Sequence, residues 1–74
     1  MAKNVDKQLL EEFGNRLRKL RTERDWSQYD LEANSGIDRV QIERIENAKI
    51  NTSISIAKQL ANAFGMTLSD LFNF

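Results

Sequence analysis

The N-terminal third of the chain carries one stripe of apolar residues at helical spacing. Leu10 is followed by Phe13, Leu17 and Leu20, at offsets of three, seven and ten residues. Residues at this spacing lie on one face of an α-helix. The pattern therefore predicts an amphipathic first helix from Leu9 to about Arg24.

Residues 1–8 lack this stripe and are mostly polar. We expect them to be frayed, with Asn4 or Asp6 as candidate caps for the first helix. Beyond them, no internal repeat, low-complexity segment or linker divides the chain. Residues 9–74 are therefore predicted to form a single domain.

Three further helix starts share a signature in which two apolar residues bracket a capping residue. The first apolar residue precedes the cap, a polar residue stands at N3, and the second apolar residue stands at N4, which is the pattern of a stapled N-terminus. The caps are Ser27, Asp38 and Thr67, the N3 residues are Asp30, Gln41 and Asp70, and the apolar pairs are Trp26 with Leu31, Ile37 with Ile42, and Met66 with Leu71.

These caps and the glycines define four more predicted helices. Gly36 and Gly65 suit the left-handed conformation after a helix, and Asn47 is expected to take a positive φ after the third. The fold class is therefore all-α, with helices after the first at Gln28 to about Ser35, Arg39 to Glu46 or Asn47, about Ser53 to Phe64, and about Leu68 to Phe72.

Composition excludes several classes of function. The 74 residues contain no Cys, His or Pro, which removes disulfides, thiolate metal sites and the commonest general base. Glu11 and Glu12 are not spaced to share a helix face, so a catalytic acid pair is not indicated. We expect neither an enzyme nor a cofactor or metal. No apolar run approaches the ~20 residues of a membrane span and no signal peptide is visible, so we expect a cytoplasmic protein without membrane contact.

The formal net charge is zero, but this total does not show how the charges are distributed along the chain. Acidic residues are interspersed among basic ones, so a neutral total can hide a basic face. Five of the basic residues are clustered, and such a cluster is more often only a solvated surface. Its members lie within one nine-residue stretch and are Arg16, Arg18, Lys19, Arg21 and Arg24.

The second and third helices, joined by a glycine turn, form a helix-turn-helix arrangement. Apolar residues of this unit face the core, and they leave the opposite side of the third helix outward. A helix presented in this way fits the DNA major groove, where Arg can read guanine, Gln adenine, and Val the thymine methyl group. The candidate base-reading residues are Arg39, Val40, Gln41, Glu43 and Arg44.

Two of these residues keep alternative interpretations. Gln41 stands at N3 and can act as a capping residue, and Glu43 can pair with a neighbouring cation instead of reading cytosine. At the start of the second helix, Ser27 and Gln28 offer N–H groups and polar side chains to phosphate. Tyr29 is equally consistent with a surface residue and with a phosphate contact.

At this point the sequence resembles the lambda-repressor-like, Cro/cI-type helix-turn-helix domains, over about Phe13 to Phe72. In length and layout it looks most like the one-domain controller proteins of restriction–modification systems. The resemblance implies a compact five-helix bundle, a homodimer and a palindromic operator. The segments that carry it are RLRKLR (16–21), WSQYDL (26–31), SGIDRVQIERIEN (35–47), NTSI (51–54), IAKQLANAFGM (56–66) and LSDLF (68–72).

The resemblance also implies roles for individual residues. Gln28 would touch phosphate and lie near the recognition helix, and Arg21 would form a structural salt bridge with Glu46. Base reading would fall to the outward residues of the third helix already named. The implied backbone-contacting positions after that helix are Asn47, Asn51 and Thr52, and Lys49 in the same loop is a further candidate for phosphate contact.

Three positions depart from the family pattern. Glu32 replaces a small residue where the second helix crosses the third, so its carboxylate must turn outward or find a cation. Ala48 stands where glycine is usual, which assigns the turn to Asn47. Thr52 replaces a frequent proline.

An excess of apolar residues toward the C-terminus indicates a dimer interface. The alternative is that these residues only complete the bundle. They are Ile50, Ile54, Leu68, Phe72 and Phe74.

Taken together, the sequence predicts a dimeric repressor or activator that occupies double-stranded DNA and contacts or obstructs RNA polymerase. It has no effector domain, so no small-molecule effector is expected. The alternative is a protein-interaction module, such as an antitoxin or adaptor, built on the same bundle.

Overall fold

The computed structural model describes residues 6–74, which form five α-helices and no strand. The all-α prediction is therefore confirmed. Helix α2 packs against α3 and α4, α1 packs against α3, and α5 packs against α4. The helices are α1 (Lys7–Thr22), α2 (Gln28–Ser35), α3 (Arg39–Glu46), α4 (Ile54–Phe64) and α5 (Leu68–Leu71).

Helix α1 begins earlier than its apolar stripe indicated. The Asp6 carboxylate accepts a hydrogen bond from the Leu9 N–H at 3.0 Å, which caps the helix. Lys7 and Gln8 are consequently helical rather than frayed, and the predicted boundary at residue 8 is wrong by this margin. The alternative cap, Asn4, lies outside the described residues.

Two of the three stapled caps close as reciprocal capping boxes. The hydroxyls of Ser27 and Thr67 accept from the N3 amide, and the N3 aspartates accept from the cap amide. At α3, Asp38 is the N-cap as predicted, and its carboxylate accepts from the N2 amide, the Val40 N–H, at 3.0 Å. The Gln41 side chain makes no hydrogen bond within residues 6–74 and is left on the surface of α3.

The core is a single apolar cluster to which every helix contributes. Leu17, Leu31, Ile42, Leu60 and Leu71, one from each helix, are fully buried. Burial of this apolar surface supplies the main stabilisation of so small a domain. Trp26 closes one side by stacking on Phe64, with ring centroids 5.7 Å apart.

The basic stretch of α1 is mainly structural. Arg16 donates to the carbonyls of Asp70 and Leu71 at the end of α5, at 2.8 and 3.2 Å. Arg24 donates to the Phe64 carbonyl at the end of α4, at 3.1 Å. Helix C-termini carry unsatisfied carbonyls and partial negative charge, so cations stabilise them. Helix α1 ends two residues before the predicted end at Arg24, and side chains of α1 and of the turn that follows it thus cap other helices instead of forming a free basic face.

The turn after α3 differs from its predicted geometry. Asn47 has a φ of −96°, and Ala48 takes the positive φ, +59°. Asn47 continues the last helical turn because its side chain is already bonded on both sides, to Glu43 and to Arg18. The left-handed prediction for Gly36 and Gly65 is confirmed, with φ of +78° and +70°.

Gly14 sets the closest approach of α1 to α3. A Cβ atom at this position would lie 2.6 Å from the carbonyl oxygens of both Ile45 and Glu46. These are backbone atoms, so no side-chain rotation can relieve the overlap. The glycine lets the end of α3 lie directly against α1.

Replacing Gly14 with Ala is expected to destabilise the fold. Overpacking against fixed backbone costs about 3 kcal/mol, the better helix propensity of alanine returns about 1, and the net loss is about 2 kcal/mol. Chemical denaturation measures the difference. Asn15→Ala, at the exposed neighbouring position, is the control and should be neutral or slightly stabilising; a G14A variant as stable as the wild type would contradict the close approach.

Candidate nucleic-acid interface

The α2–α3 unit is held at a fixed angle by four buried apolar side chains, Leu31, Ile37, Ile42 and Ile45. At the crossing, Glu32 turns toward α3, and its carboxylate accepts from the Arg39 N–H at 3.2 Å. The sequence predicted that the Glu32 carboxylate would turn outward to solvent or pair with a cation, and this prediction is wrong. An unsatisfied helix N-terminus is an equally good partner for a carboxylate.

The outward side of α3 is open to solvent. Val40 and Arg44 are exposed, whereas Gln41 and Glu43 are half-buried. Arg44 makes no side-chain hydrogen bond within the described part of the chain, so its guanidinium is available to a ligand. The structure thus leaves Val40 and Arg44 accessible on the outer side of α3, with Arg39, Gln41 and Glu43 partly covered beside them.

The Arg39 side chain contacts two residues at the start of α2. Its Nη1 donates to the amide oxygen of Gln28 at 3.1 Å. Its guanidinium carbon lies 5.2 Å from the centroid of the Tyr29 ring, which is a cation–π contact. The start of α2 therefore holds the first side chain of α3.

The side chain of Glu46 is buried, and Gln28, which bonds to Arg39, also bonds to it. Its carboxylate accepts two bonds from Arg21, at 2.7 and 2.9 Å, and one from the Gln28 amide at 3.1 Å. Arg18 adds a weaker bond at 3.4 Å to the carboxylate and one at 3.1 Å to the Glu46 carbonyl. The predicted Arg21–Glu46 salt bridge is confirmed, and its hydrogen bonds to Glu46 raise the pKa of Arg21.

The roles of Arg18 and Gln28 in this cluster were not predicted. Each lies far from Glu46 in sequence, so no local pattern reports the contact. Gln28 carried one signal, its family position near the recognition helix. Its amide connects the buried Glu46 to the surface residue Arg39.

The C-terminal end of α3 holds a second, exposed cluster. The Glu43 carboxylate accepts from the Asn47 amide at 2.6 Å and from Lys49 Nζ at 3.3 Å. These bonds lower the pKa of Glu43. The sequence left Glu43 either as a cytosine reader or as the partner of a nearby cation. In the free protein it is bonded to the cation Lys49.

The remaining phosphate candidates are not equivalent. Asn51 is exposed, and the Ser27 hydroxyl is engaged in its capping box. The Thr52 hydroxyl is buried and has no hydrogen-bond partner among residues 6–74, beside a cavity of about 200 Å³ that Leu9 and Phe72 also line. That hydroxyl is withdrawn from solvent in the free protein, so we expect a phosphate contact at this position to come from the backbone.

The predicted dimer residues divide into two groups. Ile50 and Leu68 pack half-buried against the core, so they complete the bundle. Ile54 is 77% exposed, and Phe72 and Phe74 are about half exposed. The Phe72 ring stacks on Phe13 at 5.3 Å, which fixes an apolar surface at this end of the molecule.

No helix within residues 6–74 is long and apolar enough to cross a membrane. The same residues contain no cluster of three or more acidic side chains placed to hold a metal ion. The accessible groups on α2 and α3 include the Arg39 and Arg44 guanidinium groups and the amides of the first turn of α2. Groups of this kind can bind phosphate and base edges.

A helix-turn-helix family profile matches residues 17–71, which include α2 to α5 and the last six residues of α1. The chain belongs to this helix-turn-helix family. The matched segment covers both helices of the candidate interface and the buried residues that orient them. The predicted resemblance to Cro/cI-type domains is thereby confirmed.

Individual relatives agree with the family. The chain is 42% identical over 62 residues to the control protein C.MunI of a Mycoplasma species, covering 82% of this chain and 84% of that protein. The restriction–modification controller protein C.AhdI from Aeromonas hydrophila superposes with a TM-score of 0.80 at 37% identity, over 84% of this chain and 94% of that one. A hypothetical transcription factor, NHTF from Neisseria, also gives 0.80 at 27% identity, over 97% and 84%.

This helix-turn-helix protein is therefore a DNA-binding transcription regulator of controller-protein type and not an enzyme. The accessible polar and charged groups described above lie on α2 and α3, the two helices that define the family, as this function requires.

Replacing Arg21 with Ala is expected to destabilise this regulator because it removes two bonds from a buried carboxylate. Breaking a buried pair costs about 3 kcal/mol or more, which lowers Tm by roughly 12 °C or more in a domain of this size. Calorimetry gives the comparison. Lys49→Ala, which removes the cation of the exposed Glu43 pair, should barely change Tm; equal Tm values for both variants would refute the assigned role of Glu46.

Proposed function

We propose that the protein binds a palindromic operator as a homodimer, with α3 in the major groove of double-stranded DNA. The observation that carries this proposal is the open face of α3, on which Arg39, Val40 and Arg44 are presented by a helix pair that the core holds rigidly. A helix presented in this way reads base edges with its N-terminal residues.

The base-reading assignment is supported by the donors that remain available on α3. Arg39 and Arg44 suit bidentate contact with guanine, and exposed Val40 suits the thymine methyl group. Gln41 and Glu43 lie beside them, and Glu43 must exchange its contacts with Asn47 and Lys49 to accept from cytosine. Arg39 and Arg44 are therefore the principal readers in this proposal.

Phosphate contacts would flank the groove on both sides of α3. On one side, the first turn of α2 offers amide groups together with Ser27, Gln28 and Tyr29. On the other, the loop after α3 offers Asn47, Lys49, Asn51 and the backbone of Thr52. Because the arginines Arg16 and Arg24 are consumed in capping other helices, these contacts supply most of the sequence-independent attraction.

The dimer would form through the exposed apolar residues Ile54, Phe72 and Phe74. Two-fold symmetry would then place the two α3 helices about one DNA turn, ~34 Å, apart. Occupying such a site would regulate transcription in the cytoplasm by contacting or obstructing RNA polymerase. The controller proteins to which the chain is similar support this setting.

Selection from a randomised duplex pool at near-physiological salt tests the proposal. Recovery of a two-fold-symmetric site is the expected result. On that site, Arg39→Ala and Arg44→Ala should each relax the preference at one position per half-site, at a cost of ~1–3 kcal/mol there. Lys58→Ala, on the exposed side of α4, is the control and should leave the base preference at both positions unchanged. Absence of any enriched site would reject the operator and favour the protein-interaction alternative.

Replacing Ile54 with Lys is expected to abolish the dimer without unfolding the protein, since the side chain is almost fully exposed in one copy of the chain. Sedimentation velocity should show a monomer, while circular dichroism stays unchanged. Asn62→Lys, which adds the same charge at an exposed position farther along α4, should remain dimeric. An I54K variant that sediments as a dimer would place the interface elsewhere.

A further inference from the structure

The side chain of Arg39 is held on two sides before any DNA is bound. The amide oxygen of Gln28 accepts from Nη1 at 3.1 Å, and the Tyr29 ring lies 5.2 Å below the guanidinium carbon. No described residue bonds to Nε or Nη2 of Arg39. The contacts therefore occupy one corner and one face of the guanidinium and leave its Nε–Nη2 edge for a ligand.

That remaining edge is the part of the side chain that matters for reading. A guanine presents O6 and N7 as two neighbouring acceptors, and an arginine reads them with two parallel donors. A long, flexible arginine must otherwise lose rotamer freedom to reach this geometry. The ring and the amide together restrict that freedom in the unbound protein.

Tyr29 is well placed for this task and poorly explained by the fold. Its side chain is 66% exposed, and its hydroxyl forms no hydrogen bond within residues 6–74. It therefore contributes little to the core. The contact that the structure gives it is with Arg39, which lies on another helix.

We propose that Tyr29 is a specificity-determining residue: its ring positions Arg39 so that the Nε–Nη2 edge meets the base. This inference rests on the proposed base-reading role of Arg39. It gives the ring of Tyr29 a function separate from any phosphate contact by its hydroxyl. It makes the start of α2 part of the base-reading apparatus.

The two functions of Tyr29 are separated by a pair of variants. Tyr29→Phe keeps the ring and removes the hydroxyl, whereas Tyr29→Ala removes both. The measurement is the affinity of each variant for the selected operator and for operators altered at one base. That base is the one at which Arg39→Ala relaxes the preference. An exposed cation–π contact corresponds to about a twofold to fivefold effect, and that is the expected loss of discrimination at this base in Y29A.

Discrimination at this base should stay at the wild-type value in Y29F. At the base assigned to Arg44, it should stay unchanged in both variants. A uniform loss of affinity in both variants, with discrimination intact, would leave only a phosphate contact and overturn the inference. Equal loss of discrimination in Y29F and Y29A would also overturn it, because the ring would not be responsible.

A readout without DNA separates this inference from the proposed function. In the free protein, the Arg39 side-chain proton resonances should carry a ring-current shift that Y29F keeps and Y29A loses. If that shift is present but R39A alters no base preference, then the base-reading proposal has failed and the specificity role of Tyr29 falls with it. If R39A relaxes one base and the shift is absent, then the Tyr29 inference alone has failed.

Discussion

The arrangement of α1, α2 and α3 depends on the hydrogen bonds and ion pairs of one buried carboxylate, that of Glu46. An ionised carboxylate away from water is costly unless charge and hydrogen bonds replace its hydration. Arg21 supplies two bonds, and Gln28 and Arg18 supply others. These partners come from α1 and α2, so one side chain of α3 fixes three helices relative to each other. Gly14 allows the approach, since any Cβ there would meet the end of α3.

From this centre, the constraint extends to the surface. Gln28 bonds to Glu46 with its nitrogen and to Arg39 with its oxygen, which fixes the orientation of its amide. Arg39, for which we propose a base-reading role, is thereby tied to the core through one side chain. A neutral protein gains from such an arrangement, because diffuse charge contributes little attraction and binding must come from well-oriented contacts. Most arginines of α1 serve the bundle, so the net charge of zero gives little indication of DNA binding.

Local signals were the predictable part of this structure. Ser27 and Thr67 marked helix starts because a cap, its N3 partner and an apolar bracket all lie within six residues. Long-range contacts were not predictable: Arg16 meets the end of α5 more than fifty residues away, and no periodicity reports such a bond. The same limit hid the contact of Glu32 with α3 and the buried hydroxyl of Thr52. The outward face of α3 was predictable because it is what remains once the apolar positions are assigned to the core.

We propose that the outer side of α3 and the first turn of α2 form the DNA-binding surface. Titration of ¹⁵N-labelled protein with the selected duplex, followed by two-dimensional NMR, tests this assignment. Amide shifts are expected to centre on Gln28, Arg39, Val40 and Arg44, with the exposed side of α4 around Lys58 unchanged. Shifts centred on α4 or α1, with α3 unaffected, would contradict it.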